Sequence, residues 1–152
     1  MARTLWGLST RNLKSYGQAT DRAQAVLELA PDGTVVTANE RFLALTGYRL
    51  DDLQGKPHHL FCDPAEAERP ESRAVWEAVR RGEPAQHLTK WLGKDGTARW
   101  LAASLVPLGS APPRTVIMVA TDVTALVTEL ETVKEELAVR QAIMDLTSVI
   151  SE

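Results

Sequence analysis

The sequence predicts an α+β fold, a five-stranded antiparallel sheet with helices on one face, followed by a long C-terminal helix. Three observations predict it. β-rich runs flank the turn sequences PDG (residues 31–33) and GKDG (residues 93–96). A helical pattern lies between these two hairpins, and a leucine-spaced stripe follows the last β-rich run. Strands at both ends of a helical middle section indicate one mixed domain with a helical extension.

Composition narrows the class of protein. A chain of 152 residues is long enough for one domain with a core and a short appendage. Hydrophobic residues make up 44% and charged residues 24%, which is typical of a soluble globular protein. The net charge of −3 gives no basic field for nucleic acid or for an anionic membrane. The single cysteine, Cys62, favours a reducing, cytoplasmic setting, and no apolar run is long enough to span a bilayer.

The first part of the chain predicts a hairpin and a short helix. Residues 25–29 pair with residues 34–37 across the PDG turn, in which Pro presets φ and Gly accepts a positive φ. Asn39 is a suitable cap for a helix that buries Phe42 and ends at Gly47. Before the hairpin, residues 1–22 are predicted to form a helical cap.

The second part predicts one longer helix and three strands. The helix runs from about Pro70 to Arg81, because proline suits a first turn and arginines suit a last turn. A hairpin across GKDG and a final strand at residues 115–121 complete the sheet. By alternation Trp100 shares a face with Ala102 and Ser104, and we expect that face to line a pocket, since the two small residues leave room for a ligand.

The C-terminal segment, residues 125–152, predicts a signalling coiled coil. Apolar residues recur at spacings of 4, 3 and 4, which is typical of a coiled-coil seam; they are Leu126, Leu130, Val133 and Leu137. Arg140 interrupts this seam, and a second stripe with the same spacings follows, a stutter-type discontinuity; its members are Val139, Ile143, Leu146 and Ile150. The segment is charged on its other sides, which favours a parallel homodimer, and the alternative is a helix that packs on its own sheet.

Four stretches in the same order resemble a PAS domain. They are PDGTVVTAN, NERFLALTGYRLDDLQGK, GKDGTARWLAASLVPL and VATDVT, and the likeness covers residues 23–124. The family resemblance implies a sheet curved around a cavity that helices cover. VATDVT is similar to the sequence that ends a PAS domain and leads into a signalling helix, which implies a relay role for Asp122 and Thr124.

A narrower resemblance is to the PAS input modules of bacterial energy-taxis chemoreceptors, carried by residues 22–61 and by RAVWEAVRRGE. It implies a module that senses redox state or oxygen and acts on a downstream signalling domain. The tail RQAIMDLTSVISE resembles the opening of a following PAS repeat, which implies a fragment of a longer protein. Sensor histidine kinases and cyclases use similar modules, so the alternative is a PAS dimerisation and relay module without a cofactor.

The alignment with PAS domains implies a set of residues that line the cavity or its rim: Asn39, Phe42, His58, His59, Leu60, Trp76 and Trp100. Aromatic faces suit a planar ring, and a few polar groups fix its orientation. Phe42 and Trp76 are equally compatible with a purely structural place in the core. Asn39 is also compatible with a helix cap or a strand-locking role.

Three interpretations of the stretch KPHHLFCDP remain open. In the first, the pocket binds FAD: His58 and Trp76 match the flavin-binding aerotaxis PAS domains, although Cys62, Asp63 and Ala65 replace the expected Arg, His and Asp. In the second, His58 or His59 is the axial ligand of haem. In the third, the pocket holds no cofactor and the histidines form a polar turn. We expect His58 and Trp76 to matter more for cofactor retention than His59.

No pattern in the sequence predicts catalysis. The chain has no G-x-S-x-G, no P-loop and no C-x-x-C motif. Cys62 lacks the sequence context of a light-sensing flavin-adduct cysteine, and a neighbouring carboxylate, Asp63, disfavours its thiolate. We therefore expect a domain that is not an enzyme.

Overall fold

The computed structural model describes residues 24–109 and 111–150, the last without its side chain. It contains one five-stranded sheet whose neighbouring strands are all antiparallel, in the order β2-β1-β5-β4-β3. The strands are β1 (Ala25–Leu29), β2 (Val35–Ala38), β3 (Ala85–Leu92), β4 (Ala98–Leu108) and β5 (Thr115–Asp122). The predicted fold class is confirmed. The helical cap predicted for residues 1–22 lies outside the described residues.

Short helices connect β2 to β3, and a long helix follows β5. They are α1 (Glu40–Thr46), α2 (Leu50–Leu53), a 3-10 helix (His58–Phe61), α3 (Pro64–Ala67), α4 (Pro70–Arg80) and α5 (Thr124–Ile150). The predicted start of α4 at Pro70 is confirmed, with Glu71 in its first turn and Arg80 in its last turn, where charged side chains complement the helix dipole. In the part of the chain that the structure describes, no helix is both long enough and apolar enough to cross a membrane.

The predicted caps of α1 are present. The Asn39 side-chain oxygen accepts a hydrogen bond from the backbone N–H of Phe42 at 3.0 Å. At the other end, Gly47 has φ of 77°, a left-handed conformation that glycine adopts without a steric penalty. The helix is therefore set in place by local sequence at both ends.

The core lies between the helices and one face of the sheet. Its centre is the buried Trp91, which contacts Phe42 edge-on at a ring distance of 5.1 Å and stacks on Phe61 at 5.9 Å. In β4, the inward residues are Leu101, Ala103 and Leu105, all buried. An aromatic cluster from α1, the 3-10 helix and β3 therefore joins the helices to the sheet.

The face predicted for Trp100 is wrong. Trp100 pairs across β3–β4 with Lys90, whose ammonium lies 5.5 Å from the centre of the indole ring. Its neighbour Leu101 points to the core instead. Both faces of β4 carry apolar residues, so alternation identified which residues share a face without showing which face is covered.

α5 belongs to a second compact unit that begins at Val123. All four residues of the predicted first seam are exposed, from 46% for Val133 to 60% for Leu130 and Leu137. The second stripe is equally exposed where its side chains are described, as at Ile143 and Leu146. A row of large apolar side chains thus faces solvent along this helix.

Candidate functional site

A cavity of about 370 Å³ lies between α4, the 3-10 helix and the inner face of the sheet. Its volume falls in the lower part of the range for small-molecule sites, roughly 300–1,000 Å³. The lining combines aromatic, imidazole and charged side chains over an apolar floor. Its described members are Asp32, His58, His59, Cys62, Ala67, Ser72, Arg73, Trp76, Glu77, Arg80, His87, Thr89, Trp91, Leu105 and Met118.

His58 is held from two sides at the wall of this cavity. Its Nδ1 lies 3.0 Å from the carbonyl oxygen of Gly33, in the turn between β1 and β2. Its ring packs on Trp76 of α4, with ring centres 4.7 Å apart and a tilt of 33°. Burial lowers the pKa of His58, and the nearby His59 and His87 lower it further, against the hydrogen bond to Gly33, which raises it. The imidazole is therefore neutral at physiological pH.

His87 is a cavity residue that the sequence interpretation missed. It extends from β3, and its Nε2 lies 3.2 Å from the hydroxyl of Ser72 on α4. Burial lowers its pKa, against the opposing effect of Glu66 and Glu71. Thr89 and Trp91 of β3 are buried, so by alternation His87 lies on the same inner face. This alternation is the sequence signal that could have predicted His87 as a cavity residue. All three histidines of the chain line one cavity.

Charged residues of both signs line the same cavity. Arg73 and Arg80 lie two turns apart on α4, with Glu77 between them, and Asp32 contributes to the lining from the β1–β2 turn. The backbone N–H of Thr34 donates to the Asp32 carboxylate at 2.9 Å and lowers its pKa, so this group stays ionised. Two arginines of α4 therefore line the cavity, although the stretch around His58 contains none.

Cys62 is buried beneath the histidines. Its Sγ donates to the carbonyl of His58 at 3.6 Å and lies 4.0 Å from the hydroxyl of Thr89. Burial raises the pKa of this thiol to about 12. The protonated thiol is a poor nucleophile, and its role is to pack the floor of the cavity.

Of the seven residues predicted to line the cavity or its rim, the structure brings three together: His58, His59 and Trp76. His59 is exposed at the rim, and Leu60 is 62% exposed and does not line the cavity. The other three lie elsewhere. Phe42 is in the core, and Trp100 is on the outer face of the sheet.

Asn39 is a structural clamp. Its side-chain oxygen accepts hydrogen bonds from the backbone N–H groups of Val26 and Phe42, both at 3.0 Å, and its amide donates to the Gln24 carbonyl at 2.7 Å. These bonds tie the end of β2 to β1 while they cap α1. Of the two roles predicted for Asn39, the structure shows the helix cap that also locks the strands together.

The two predicted relay residues lie at the end of β5 and the start of α5. The Asp122 carboxylate lies 3.6 Å from the guanidinium of Arg99 on β4, which is the strand beside β5. Thr124 is the first residue of α5, and its carbonyl accepts from the Thr128 hydroxyl at 2.9 Å. Their relay role stays a prediction.

Comparisons with known proteins agree with this fold. A family model described as PAS fold matches residues 21–128. The fold and the cavity under its helices are those of a PAS domain, and the chain belongs to the PAS family.

Two curated relatives match parts of the chain. The biofilm dispersion protein BdlA of Pseudomonas aeruginosa is 40% identical over 111 residues, which are 72% of this chain and 27% of the relative. The aerotaxis receptor of Escherichia coli is 31% identical over 74 residues, or 49% of this chain and 14% of the receptor. The chain thus spans well under a third of the length of these relatives.

A solved structure of a light-oxygen-voltage domain, studied with a flavin analogue, is also similar. It superposes with a TM-score of 0.61 at 25% identity, covering 82% of this chain and 96% of that domain.

Proposed function

We propose that this domain is the signal-input module of a bacterial chemotaxis transducer in the cytoplasm. It senses redox state or oxygen through a cofactor in the cavity and acts on a downstream signalling domain through a dimeric α5. The likeness to the biofilm dispersion protein and to the aerotaxis receptor supports the chemotaxis context. The cavity that contains His58, Trp76 and His87 supports an input role, and it is the observation that carries the proposal.

Three features of the cavity support FAD as the cofactor. The volume of about 370 Å³ suits a fused ring system, and Trp76 offers an aromatic surface for it. Arg73 and Arg80 supply cations for phosphate groups, which arginine binds with directed hydrogen bonds. When bound, the flavin ring would supply the redox change, and the protein would hold and orient it.

Haem is the alternative cofactor, and His58 is the better of the two candidate ligands. A metal-binding histidine usually donates its other ring N–H to a backbone carbonyl, and the Gly33 carbonyl is in that position. No fixed contact of this kind orients His59 among the described residues, and its ring is exposed at the rim.

One observation favours a relay module without a cofactor. His58 and Trp76 pack on each other at 4.7 Å, so each ring already covers part of the other. In that case the domain would transmit a change between dimer partners, and its output would belong to a sensor kinase or a cyclase.

The absorption spectrum of the purified protein, before and after reconstitution with FAD or haem, separates these functions. A flavin spectrum supports the FAD pocket, and a Soret band supports haem. A protein that holds neither chromophore after reconstitution contradicts cofactor-based sensing and supports the relay module.

Three variants then identify the residues that retain the cofactor. We expect His58→Ala and Trp76→Ala to lose most bound chromophore per mole of folded protein, and His59→Ala to retain it. His59→Ala is the matched control, because it removes an imidazole from the same 3-10 helix at the exposed rim. Equal retention in all three variants would contradict the assignment of the site.

We also propose that the domain catalyses no reaction by itself. Burial raises the pKa of the Cys62 thiol to about 12, so the one cysteine of the cavity stays protonated and is a poor nucleophile. Measurable ATP turnover by the pure protein would contradict this proposal.

A further inference from the structure

The protonated nitrogen of His58 is determined by its partner. The Gly33 carbonyl can only accept a hydrogen bond, so Nδ1, at 3.0 Å from it, carries the ring hydrogen. In the neutral ring, Nε2 is then a hydrogen-bond acceptor. The fold therefore selects one of the two tautomers of this imidazole.

Gly33 is the residue that permits this contact. The same carbonyl also accepts the backbone N–H of His58 at 2.9 Å, so two bonds to one oxygen fix the start of the 3-10 helix. A Cβ at position 33 would stand 2.8 Å from Nδ1 and 3.0 Å from Cε1 of the ring, and φ here is +89°. Only glycine adopts this positive φ without strain and also leaves room for the His58 ring.

His87 is assigned the opposite tautomer. The Ser72 hydroxyl has one hydrogen, and it donates this hydrogen to the carbonyl of Glu66 at 2.8 Å. At 3.2 Å from His87 Nε2, the hydroxyl oxygen therefore accepts, and Nε2 carries the ring hydrogen. Nδ1 of His87 is left as an acceptor.

Both remaining nitrogens open onto accessible space. Within residues 24–109 and 111–150, neither His58 Nε2 nor His87 Nδ1 has a hydrogen-bond partner. Every fully buried side-chain nitrogen or oxygen in that part of the chain does have one, so these two atoms are not sealed in the core. Both residues line the cavity, and burial keeps both rings neutral by lowering their pKa values.

We propose that the cavity recognises its ligand through two imidazole lone pairs, His58 Nε2 and His87 Nδ1, and so selects a ring compound that donates N–H or O–H hydrogen bonds. Gly33 and Ser72 are the positioning residues. This inference rests on the proposed function, in which the cavity holds a ligand. A ring that offers only acceptors leaves both lone pairs unpaired on binding, and an acceptor that loses its partner weakens binding.

The first test measures the tautomers directly. Nuclear magnetic resonance of isotopically labelled histidine side chains, at about pH 7.5 without ligand, should show His58 protonated on Nδ1 and His87 on Nε2. The variants His58→Asn and His87→Gln assign the signals, and they retain a donor toward Gly33 and Ser72. The opposite tautomer at either residue, or a charged ring at this pH, overturns the proposal.

The second test uses riboflavin as the probe. Its binding should shift the signals of His58 Nε2 and His87 Nδ1, and a riboflavin analogue methylated at the ring N–H should bind about tenfold more weakly by fluorescence quenching. The double variant His58→Leu, His87→Leu, which has no hydrogen-bonding atom in either side chain, should bind the two compounds with equal affinity. The proposal is overturned if riboflavin leaves the His58 Nε2 and His87 Nδ1 signals unshifted. It is also overturned if the unmodified protein binds both compounds with equal affinity. The chromophore content of the purified protein decides the proposed function separately, because the tautomers are measured without any ligand.

Discussion

The sheet domain and the C-terminal helix differ in what happens to their large apolar side chains. In the domain, Trp91 and Phe42 are at most 1% exposed. In α5, Leu130 and Leu137 are each 60% exposed, although they recur with the spacing of a buried seam. The domain buries an apolar core, although Leu60 and Leu88 are exposed. The helix has no buried core among its described side chains, and its exposed apolar residues recur with the spacing of a coiled-coil seam. The comparison teaches that the same kinds of apolar residue form a buried core in one unit and an exposed stripe in the other.

The largest expected effect on the domain comes from its aromatic centre. Trp91→Ala should lower the free energy of unfolding by about 3–5 kcal/mol, because it removes the ring that both Phe42 and Phe61 contact. Chemical denaturation followed by circular dichroism measures the loss. Trp100→Ala, on the outer face, is the matched control and should cost much less. Equal losses in the two variants would contradict the position of the core.

A smaller loss is expected at the turn that holds His58. Gly33→Ala should destabilise the domain by about 1–3 kcal/mol, because alanine is strained at φ of +89° and its Cβ would collide with the imidazole. Gly96→Ala is the control, since φ there is +82° with no atom close to the added Cβ. The difference between the two variants isolates the collision with His58, and no difference would show that the ring moves aside freely.

Acidification should weaken the domain through its buried imidazoles. The pKa values of His58 and His87 are lowered by burial from an ordinary value of 6.5, so the unfolded chain binds more protons as pH falls. Their contribution to stability is complete above about pH 6.5 and is lost as pH falls below it toward the folded pKa values. Thermal unfolding between about pH 7.5 and 5.5 should show this slope. The double variant His58→Asn, His87→Gln should show a smaller change of thermal stability with pH. An unchanged slope would show that other groups cause the pH dependence.

The smallest effect on the domain should come from the stripe on α5. Replacement of Leu130 and Leu137 together by glutamate should leave the melting temperature of the sheet domain unchanged, because neither side chain is buried. The same change should convert a dimer to a monomer in light scattering, since charges disrupt a coiled-coil seam. Glu131→Gln, Glu135→Gln, on the polar side of the same helix, is the control. A dimer that persists in the double glutamate variant would contradict association through this seam.

Much of the fold could be predicted from local signals in the sequence. The PDG turn, the Asn39 cap, Gly47 and Pro70 each set a backbone conformation from within a few residues, and each lies where it was predicted. The face of Trp100 could not be predicted in the same way. Both faces of β4 are apolar, and only the packing of helices on one of them distinguishes the two.

The same division holds for the candidate site. The sequence by itself identified His58 and Trp76 as partners, through a resemblance that preserves their order along the chain. Only the tertiary structure brought His87, Ser72 and Arg80 to the same cavity, because they lie on a strand and a helix whose approach depends on the whole core. The tautomer of His58 depends in turn on a carbonyl 25 residues away. The backbone conformation of a residue is set by its neighbours in sequence. The protonation state of its side chain is set by its neighbours in space. These spatial neighbours are fixed only when the sheet and its helices pack around the core.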